Sequence, residues 1–401
     1  MNPTMLAGRA NSLAQSKTSA MRSIANRLAE QGVTIINFAA GEIGDDTATE
    51  IKNGAKDAID RATNGYTDTA GLNDLRSGIA ANFFGDAHRV ISADNVMVTG
   101  GAKPALFNAA LLLFQEGNEV LIPSPYWTTF ATQIELVGAK AVGIDSRRPD
   151  FGLDVAAIAE AISPKTRGII VNSPCNPTGS VISEHDLDSL IKLIKPLNIY
   201  LIFDECYSTF LYDGRRHIRP FDLDPGIFDR TVVINSFSKS HALAGWRLGY
   251  MMASETIIKK ATALQSHTNS NPNSIAQHAM LRALESSHIS YPRELHARLT
   301  KNRSIGVTSL HGIQHVSAIT PQGGFYFYLQ LGKLKGRKLF GTTVSDADQV
   351  ASLLLEHAYV STVPGSAFAD PWGLRVSFSL SESQVADGMN RLRDAFVGNV
   401  R

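Results

Sequence analysis

The residues best placed to do chemistry in this chain are charged groups at the ends of apolar runs. Lys239 lies in "SFSKSHALAGWRLG", residues 236–249, just past the apolar run "RTVVIN". Ser236 and Ser238 precede it, and Arg247 follows two turns on. Asp204 and Glu205 close the apolar run "IYLIF". A carboxylate at the end of a buried strand needs a cation or an N–H partner, because desolvating it unpaired is costly. Side chains alternate along a strand, so Asp204 and Cys206 are expected on one face, with Cys206 a small buried hydrophobe. Tyr207 follows at the strand exit. Each has a plain alternative: a lone lysine is ordinarily solvated, and a buried acid is ordinarily paired with some arginine.

Other apolar runs end in equally distinctive loops. "VMVTG" passes into Gly100-Gly101-Ala102-Lys103-Pro104, where a helix is expected from about Lys103 because proline suits a first helical turn. Free N–H groups and the helix dipole make such a start a seat for phosphate. "EVLIPSPYW" ends in Trp127, either an apolar cap or a platform for a flat ring. "GIIVNSPCNPTG" brings Asn176 to a Pro-Thr-Gly turn, which turn formation alone would explain. Together, one lysine, one buried acid, one ring-sized aromatic and several phosphate seats suit a cofactor with an aldehyde, a cationic ring nitrogen and a phosphate. Pyridoxal 5′-phosphate is such a molecule.

The elements that must hold these groups follow from the pattern. From about Arg89, short runs rich in Val, Ile and Leu alternate with helix-length segments such as "KPALFNAALLLFQEG" and "EHDLDSLIKLIKP". Runs without polar alternation suit strands covered on both faces. Strands separated by helices predict a three-layer α/β domain with a mainly parallel sheet, whose chemistry sits at the carboxyl ends of its strands. Residues 16–31 read as an amphipathic helix, "VTIINFAAG" as a short strand, and 48–63 as a helix. Beyond about 290 a long helix, the strand-like "GGFYFYLQL" and "GLRVSFSL", and two more helices predict a smaller α/β domain, joined by residues near the N-terminus. The expected division is 1–47 as arm and part of the small domain, 48–290 as the large cofactor domain, and 291–401 as the C-terminal small domain.

The totals narrow the class. The chain has 401 residues and a net charge of +1, which gives no footprint for nucleic acid or an anionic membrane. Two cysteines cannot staple a chain of this size or form a four-ligand metal site. The opening "MNPTMLAGRANSLAQS" lacks an apolar core, and no run of 18 or more apolar residues occurs, so a reduced, cytoplasmic location is expected. The expected partner is a small molecule, with no nucleic acid, no membrane and no metal. No G-x-G-x-x-G follows a strand with an acid about 20 residues on, which argues against a dinucleotide-binding dehydrogenase.

From "INFAAGE" through "GYTDTAGLNDLR", "VTGGAKPALFNA", "SPYW", "NSPCNPTG", "DECY" and "SFSKSHALAGWRLGY" to "GLRVSFS", the chain resembles the class I and II aminotransferases of fold type I. It is most similar to their bacterial aspartate and prephenate subgroup. The resemblance implies an enzyme that moves an amino group between an L-amino acid, aspartate or another acidic or aromatic one, and a 2-oxo acid such as 2-oxoglutarate, in ping-pong order. It implies that Lys239 binds the cofactor's aldehyde and then moves the substrate's Cα proton. Asp204 would pair with the ring nitrogen, and Asn176 and Tyr207 would donate to the 3′ oxygen. Trp127 would stack on the ring, with Cys206 against the other face.

The phosphate would lie on Gly101, Ala102, Lys103, Ser236, Ser238 and Arg247, and on Tyr66 from the second subunit of a homodimer. Arg375 would clamp the substrate α-carboxylate with the Gly41 N–H, beside Trp127 and Asn176. Lys103, Ser16 and Thr18 would meet a second carboxylate. Three features depart from the resemblance: "GEIGDDT" after Gly41-Glu42, Ala102 in place of glycine, and His241 near the lysine. The alternative on the same scaffold is another pyridoxal-phosphate reaction, such as β-elimination, decarboxylation or amino-acid oxidation. A non-catalytic sensor fused to a DNA-binding module is a third class, disfavoured by the lack of a basic stripe.

Overall fold

A computed structural model describes residues 7–12, 23–24, 27–28, 30, 32–81, 91–146, 148–285 and 291–400. Seven strands form the main sheet: β2 (Val96–Thr99), β3 (Glu119–Ser124), β4 (Lys140–Asp145), β5 (Thr166–Asn172), β6 (Tyr200–Asp204), β7 (Thr231–Ser236) and β8 (Gly249–Met252). Their order is β2-β8-β7-β6-β5-β3-β4. Only β8 runs antiparallel to its neighbours. The sheet is therefore mainly parallel, as expected.

The apolar runs lack alternation because both faces of the sheet are covered. Ile170, Ile202, Val232 and Ile234 pack with Ala105, Leu106, Phe130 and Ile258, from the helices Ala102–Leu113, Thr129–Leu136 and Glu255–Ser266. Their strand neighbours Ile169, Val171, Leu201, Phe203 and Val233 point the other way. They pack with Ile51, Leu187, Leu190 and Met280, from the helices Thr49–Asp60, Glu184–Ile194 and Ser274–Glu285. This is the three-layer α/β/α arrangement that the pattern predicts. Strand β4 was not evident in the sequence, since it is an edge strand, largely solvent-facing and interrupted by Gly143.

A second sheet, antiparallel, has the order Val363–Pro364, Gly373–Ser377, Tyr326–Gln330, Ser317–Ile319. It shares a core with the helices Tyr291–Leu310, Ala347–Ala358 and Glu382–Asn399. Ile36 and Phe38 join that core, where β1 (Ile36–Asn37) pairs in parallel with Val360–Ser361. A Cβ on Gly388 would collide with the Phe38 ring, so glycine lets this N-terminal segment seat on the last helix. The strand expected over "VTIINFAAG" thus shrinks to two residues. The helix expected over 48–63 stops at Asp60, with Ala62 left-handed at φ 53. Most of the helix expected over 16–31 lies outside the described residues, as do Ser16 and Thr18. Among the described residues no helix is long and apolar enough to cross a membrane, and no cluster of three metal-binding side chains occurs.

Candidate active site

Strands β5, β6 and β7 deliver Asn172, Asp204 and Ser236 to one end of the sheet, where a cavity of about 420 Å³ opens. Parallel strands leave such a crevice at their carboxyl ends because the chain must turn away there into helices. Past β7 the chain makes a single helical turn, Phe237–Ser240, that carries Lys239 to the cavity wall. The turn ends before Ala242, left-handed at φ 53, and a short 3-10 turn follows at Ala244–Trp246. Lys239 Nζ donates to the Gly41 carbonyl. Burial pushes its pKa down from 10.5 to about 8, and the Arg375 and Arg247 charges act in the same direction. Such an amine is about one-tenth neutral at pH 7, far more than an ordinary lysine.

Asp204 and Glu205 have opposite fates. Asp204 is 4% exposed and accepts the Cys206 N–H at 3.0 Å. Burial raises its pKa to about 6, against the opposing Cys206 N–H and Lys239 charge. Among the described residues no ion pair to it is formed, so the bland reading of an arginine partner fails for Asp204 and holds for Glu205. The Glu205 carboxylate receives Arg219 Nε at 2.8 Å and Asn235 Nδ2 at 2.9 Å, with His217 Nε2 2.7 Å away. Burial would raise Glu205, but Arg219 and His217 outweigh it and hold the carboxyl down at about 2. Strand β6 ends at Asp204, so strand alternation does not carry Asp204 and Cys206 to one face. Both still line the cavity, because the turn after β6 folds the Cys206 N–H back onto the Asp204 carboxylate.

Asn176, Tyr207 and Arg375 form the opposite wall. The Asn176 N–H donates to Asn172 Oδ1 at 2.7 Å, and its side-chain oxygen accepts Arg375 Nη1 at 3.0 Å. Arg375 is 2% exposed, and its Nη2 donates to the Ala39 carbonyl at 3.1 Å. Its Nε has no partner, and among the described residues no carboxylate pairs with it. Its guanidinium lies 4.3 Å from the Tyr326 ring centroid and 5.2 Å from that of Phe368. The Tyr207 and Tyr326 hydroxyls are 3.0 Å apart.

Gly101 precedes the helix Ala102–Leu113 at φ 98, with no side chain capping the free N–H groups. A Cβ there would lie 2.6 Å from Arg247 Nη2, so glycine allows the turn and the arginine to converge. Ala102 is already helical and needs no such freedom. Ser236, Ser238 and Arg247 line the cavity, as do Lys103 and Trp127. Lys103 Nζ sits 4.9 Å from the Trp127 ring centroid, its pKa lowered by burial and by Arg247. Trp127 itself packs edge-on against Phe130.

Gly41 also lines the cavity, whereas Tyr66 is 92% exposed and far from lining it within one chain. The segment "GEIGDDT" is tied down by Asp45 to Arg298, by Asp46 to Lys52 at 2.5 Å, and by Thr47 Oγ1 to the Ala242 carbonyl at 3.1 Å. His241 is pushed down to about 4 by burial, so it is neutral beside Lys239. Sequence reasoning missed Asn172, Glu42, Ala244 and Tyr326 in the cavity wall. Position at a strand end could have flagged Asn172.

Comparison with known proteins decides the family. Residues 33–392 match the model of the family described as aminotransferase class I and II. The chain belongs to that family. It is 32% identical, over 97% of its own length and 98% of the relative's, to the probable aspartate/prephenate aminotransferase of Aquifex aeolicus. It is 33% identical to the aspartate aminotransferase of Bacillus subtilis, again over 97% and 98% of the two chains. The crystal structure of the Rhizobium meliloti aspartate aminotransferase superposes with a TM-score of 0.92 at 31% identity, covering 99% of this chain and 100% of that one. That of the Thermus thermophilus aspartate aminotransferase with maleate gives 0.89 at 29%, covering 97% and 99%. This family member is a pyridoxal-phosphate-dependent aminotransferase of fold type I, and its substrates are an amino acid and a 2-oxo acid. The cavity suits that cofactor: a depressed lysine, an unpaired buried acid and an uncapped helix start with an arginine beside it are the three groups that the molecule needs.

Proposed function

We propose that this aminotransferase prefers acidic amino donors, aspartate or glutamate, with 2-oxoglutarate or a similar dicarboxylic oxo acid as acceptor, in ping-pong order. The observation that carries the reading is the buried Arg375, which among the described residues has no carboxylate partner and no partner at Nε, in a cavity that also presents Lys103. A buried guanidinium without an anion is costly, and a ligand carboxylate would relieve it through two parallel N–H···O bonds. Lys103, a further cation in the same cavity, then favours a second carboxylate. The names of the relatives and the maleate in the Thermus complex support the same preference.

Within that reading the residues divide the work. The cofactor, when bound, supplies the electron sink that lets a Cα–H bond break. Lys239, whose depressed pKa of about 8 makes its neutral amine accessible near pH 7, takes the Cα proton and returns it on the other side of the reaction. Asp204 holds the ring nitrogen's proton: a cation against it would pull its raised pKa back down, so the pair forms ionised. Asn176 and Tyr207 donate to the 3′ oxygen, and Trp127 covers the ring. Gly101, Ala102, Lys103, Ser236, Ser238 and Arg247 seat the phosphate with backbone N–H groups, hydroxyls and one fork of charge. Arg375 and the Gly41 N–H orient the α-carboxylate so that the Cα–H bond faces Lys239. Ser16 and Thr18 are assigned with Lys103 to the distal carboxylate.

The exposed Tyr66 belongs to the same proposal as the partner subunit's phosphate contact in a homodimer. Sedimentation reads this assembly, and a protein that stays monomeric while active would sink it. The division of the chain near residues 48 and 290 is likewise proposed, supported by separate core clusters on the main sheet and on the second sheet, although Cys206, Tyr207, Phe210 and Tyr212 join the latter. A panel of amino donors against 2-oxoglutarate tests the specificity in the native protein and in Lys103→Ala. The variant is expected to lose aspartate and glutamate selectively and to retain aromatic or aliphatic donors. Equal loss for every donor would assign Lys103 to phosphate binding or folding instead.

A further inference from the structure

We propose that Tyr326 is a positioning residue for transamination: its hydroxyl donates to Tyr207, which leaves the Tyr207 proton free to enter the cavity, and its ring carries the Arg375 guanidinium. This rests on the cofactor and substrate roles assigned above to Tyr207 and Arg375. One side chain would thus set both the donor to the cofactor and the clamp on the substrate.

The geometry makes the case. Tyr326 opens the strand Tyr326–Gln330, is 1% exposed, and lines the cavity. Its hydroxyl lies 3.0 Å from that of Tyr207 and has no other hydrogen-bond partner among the described residues. Two phenols hold two protons, and their mutual bond uses one. Both hydroxyls border the cavity. With the Tyr207 proton given to the cofactor's 3′ oxygen, the role proposed above, the bond between the two hydroxyls must use the Tyr326 proton.

Arg375 lies 4.3 Å from the Tyr326 ring centroid, and its charge is the leading influence against the burial that raises that phenol. A chain of donation also strengthens each bond in it, so Tyr207 donates more strongly because it accepts from Tyr326. The same residue meets the substrate wall: a Cβ on Gly41 would lie 3.5 Å from the Tyr326 hydroxyl and 3.7 Å from Arg375 Nη2. Gly41 is also the residue whose carbonyl accepts from Lys239.

The test uses the protein loaded with pyridoxal 5′-phosphate and reads the pH titration of its visible absorption band. Tyr326→Phe removes one oxygen and keeps the ring. Weaker donation leaves the cofactor's 3′ oxygen richer in charge, so the midpoint should rise by about 0.3 pH unit, less than the rise in Tyr207→Phe. KM for the amino acid should stay near the native value. Tyr326→Leu removes the ring under Arg375 and should raise KM roughly fivefold. A Tyr326→Phe titration that overlays the native curve, with only a lower Tm, would overturn the proposal and leave Tyr326 a packing residue. Should Tyr326→Leu not fold, Tyr326→Phe decides by itself. A native protein that shows no titrating band at all would instead overturn the cofactor roles proposed above, so the two failures are distinct.

Discussion

Replacing Arg375 with lysine keeps a positive charge and discards geometry, which makes it a sharp test of the carboxylate clamp. The guanidinium presents a fork whose Nη1 and Nη2 are already fixed by Asn176 and the Ala39 carbonyl, and whose Nε is free. Those two bonds and the two aromatic rings at 4.3 and 5.2 Å lock its plane before any substrate arrives. Lysine can make one point contact with a carboxylate but not two parallel ones. The loss is therefore one charge-assisted bond, about 1.5–3 kcal/mol, plus a cation–π contribution of about 0.5–2 kcal/mol. At about 1.4 kcal/mol per decade, kcat/KM for aspartate should fall by roughly 30- to 3,000-fold. Steady-state kinetics with 2-oxoglutarate as acceptor measure this, and the visible band of the bound cofactor should remain, since no cofactor contact is removed. If Arg375→Lys keeps kcat/KM within threefold of native while folding normally, the clamp is not Arg375, and the acidic-donor reading loses its main support.

Two further outcomes follow from the buried charges. Capture of pyridoxal 5′-phosphate by the cofactor-free protein requires neutral Lys239, so the yield of borohydride-trapped adduct on Lys239 should climb with pH through a midpoint at about 8, the depressed pKa; a midpoint near 10.5 would mean a solvated lysine. Glu205 is held at about 2 against an ordinary 4.5, so its contribution to stability is present above pH 4.5 and is lost as pH falls through about 2. That contribution is on the order of 3 kcal/mol. Glu205→Gln should therefore lower stability at neutral pH and flatten the acid limb of the unfolding profile, and an acid limb identical to native would remove Glu205 from the account.

Much of the fold was legible because its physics is local. Strands β2, β3 and β5 to β7 are apolar runs that stop at polar residues, and burial on both faces forbids alternation. The polar residues at their ends were legible for the same reason: Asn176, Asp204, Ser236 and Lys239 stand where apolar residues suddenly give way. What failed was long-range. Tyr326 sits inside the aromatic run "GGFYFYLQL", where period two says that Tyr326 and Tyr328 share a face but not what that face meets. Its partner Tyr207 is 119 residues away in sequence. Tyr328 illustrates the point, since its hydroxyl goes to Asp370 at 2.8 Å rather than to the cavity.

Asp204 and Glu205 show most plainly why neighbours in sequence need not be neighbours in chemistry. Both are carboxylates at the end of one strand, and both are buried. Burial alone would push both towards the neutral acid. Glu205 escapes because β7 and the loop after β6 bring Asn235, His217 and Arg219 to it. Its fixed charge then adds to the pressure that raises Asp204. An acid raised to about 6, despite the Cys206 N–H and the Lys239 charge that oppose the rise, is poised to ionise fully when a cation is placed on it. The fold thus satisfies one carboxylate internally and leaves the adjacent one for a ligand to satisfy, and that asymmetry comes from residues 217, 219 and 235 rather than from the pair itself.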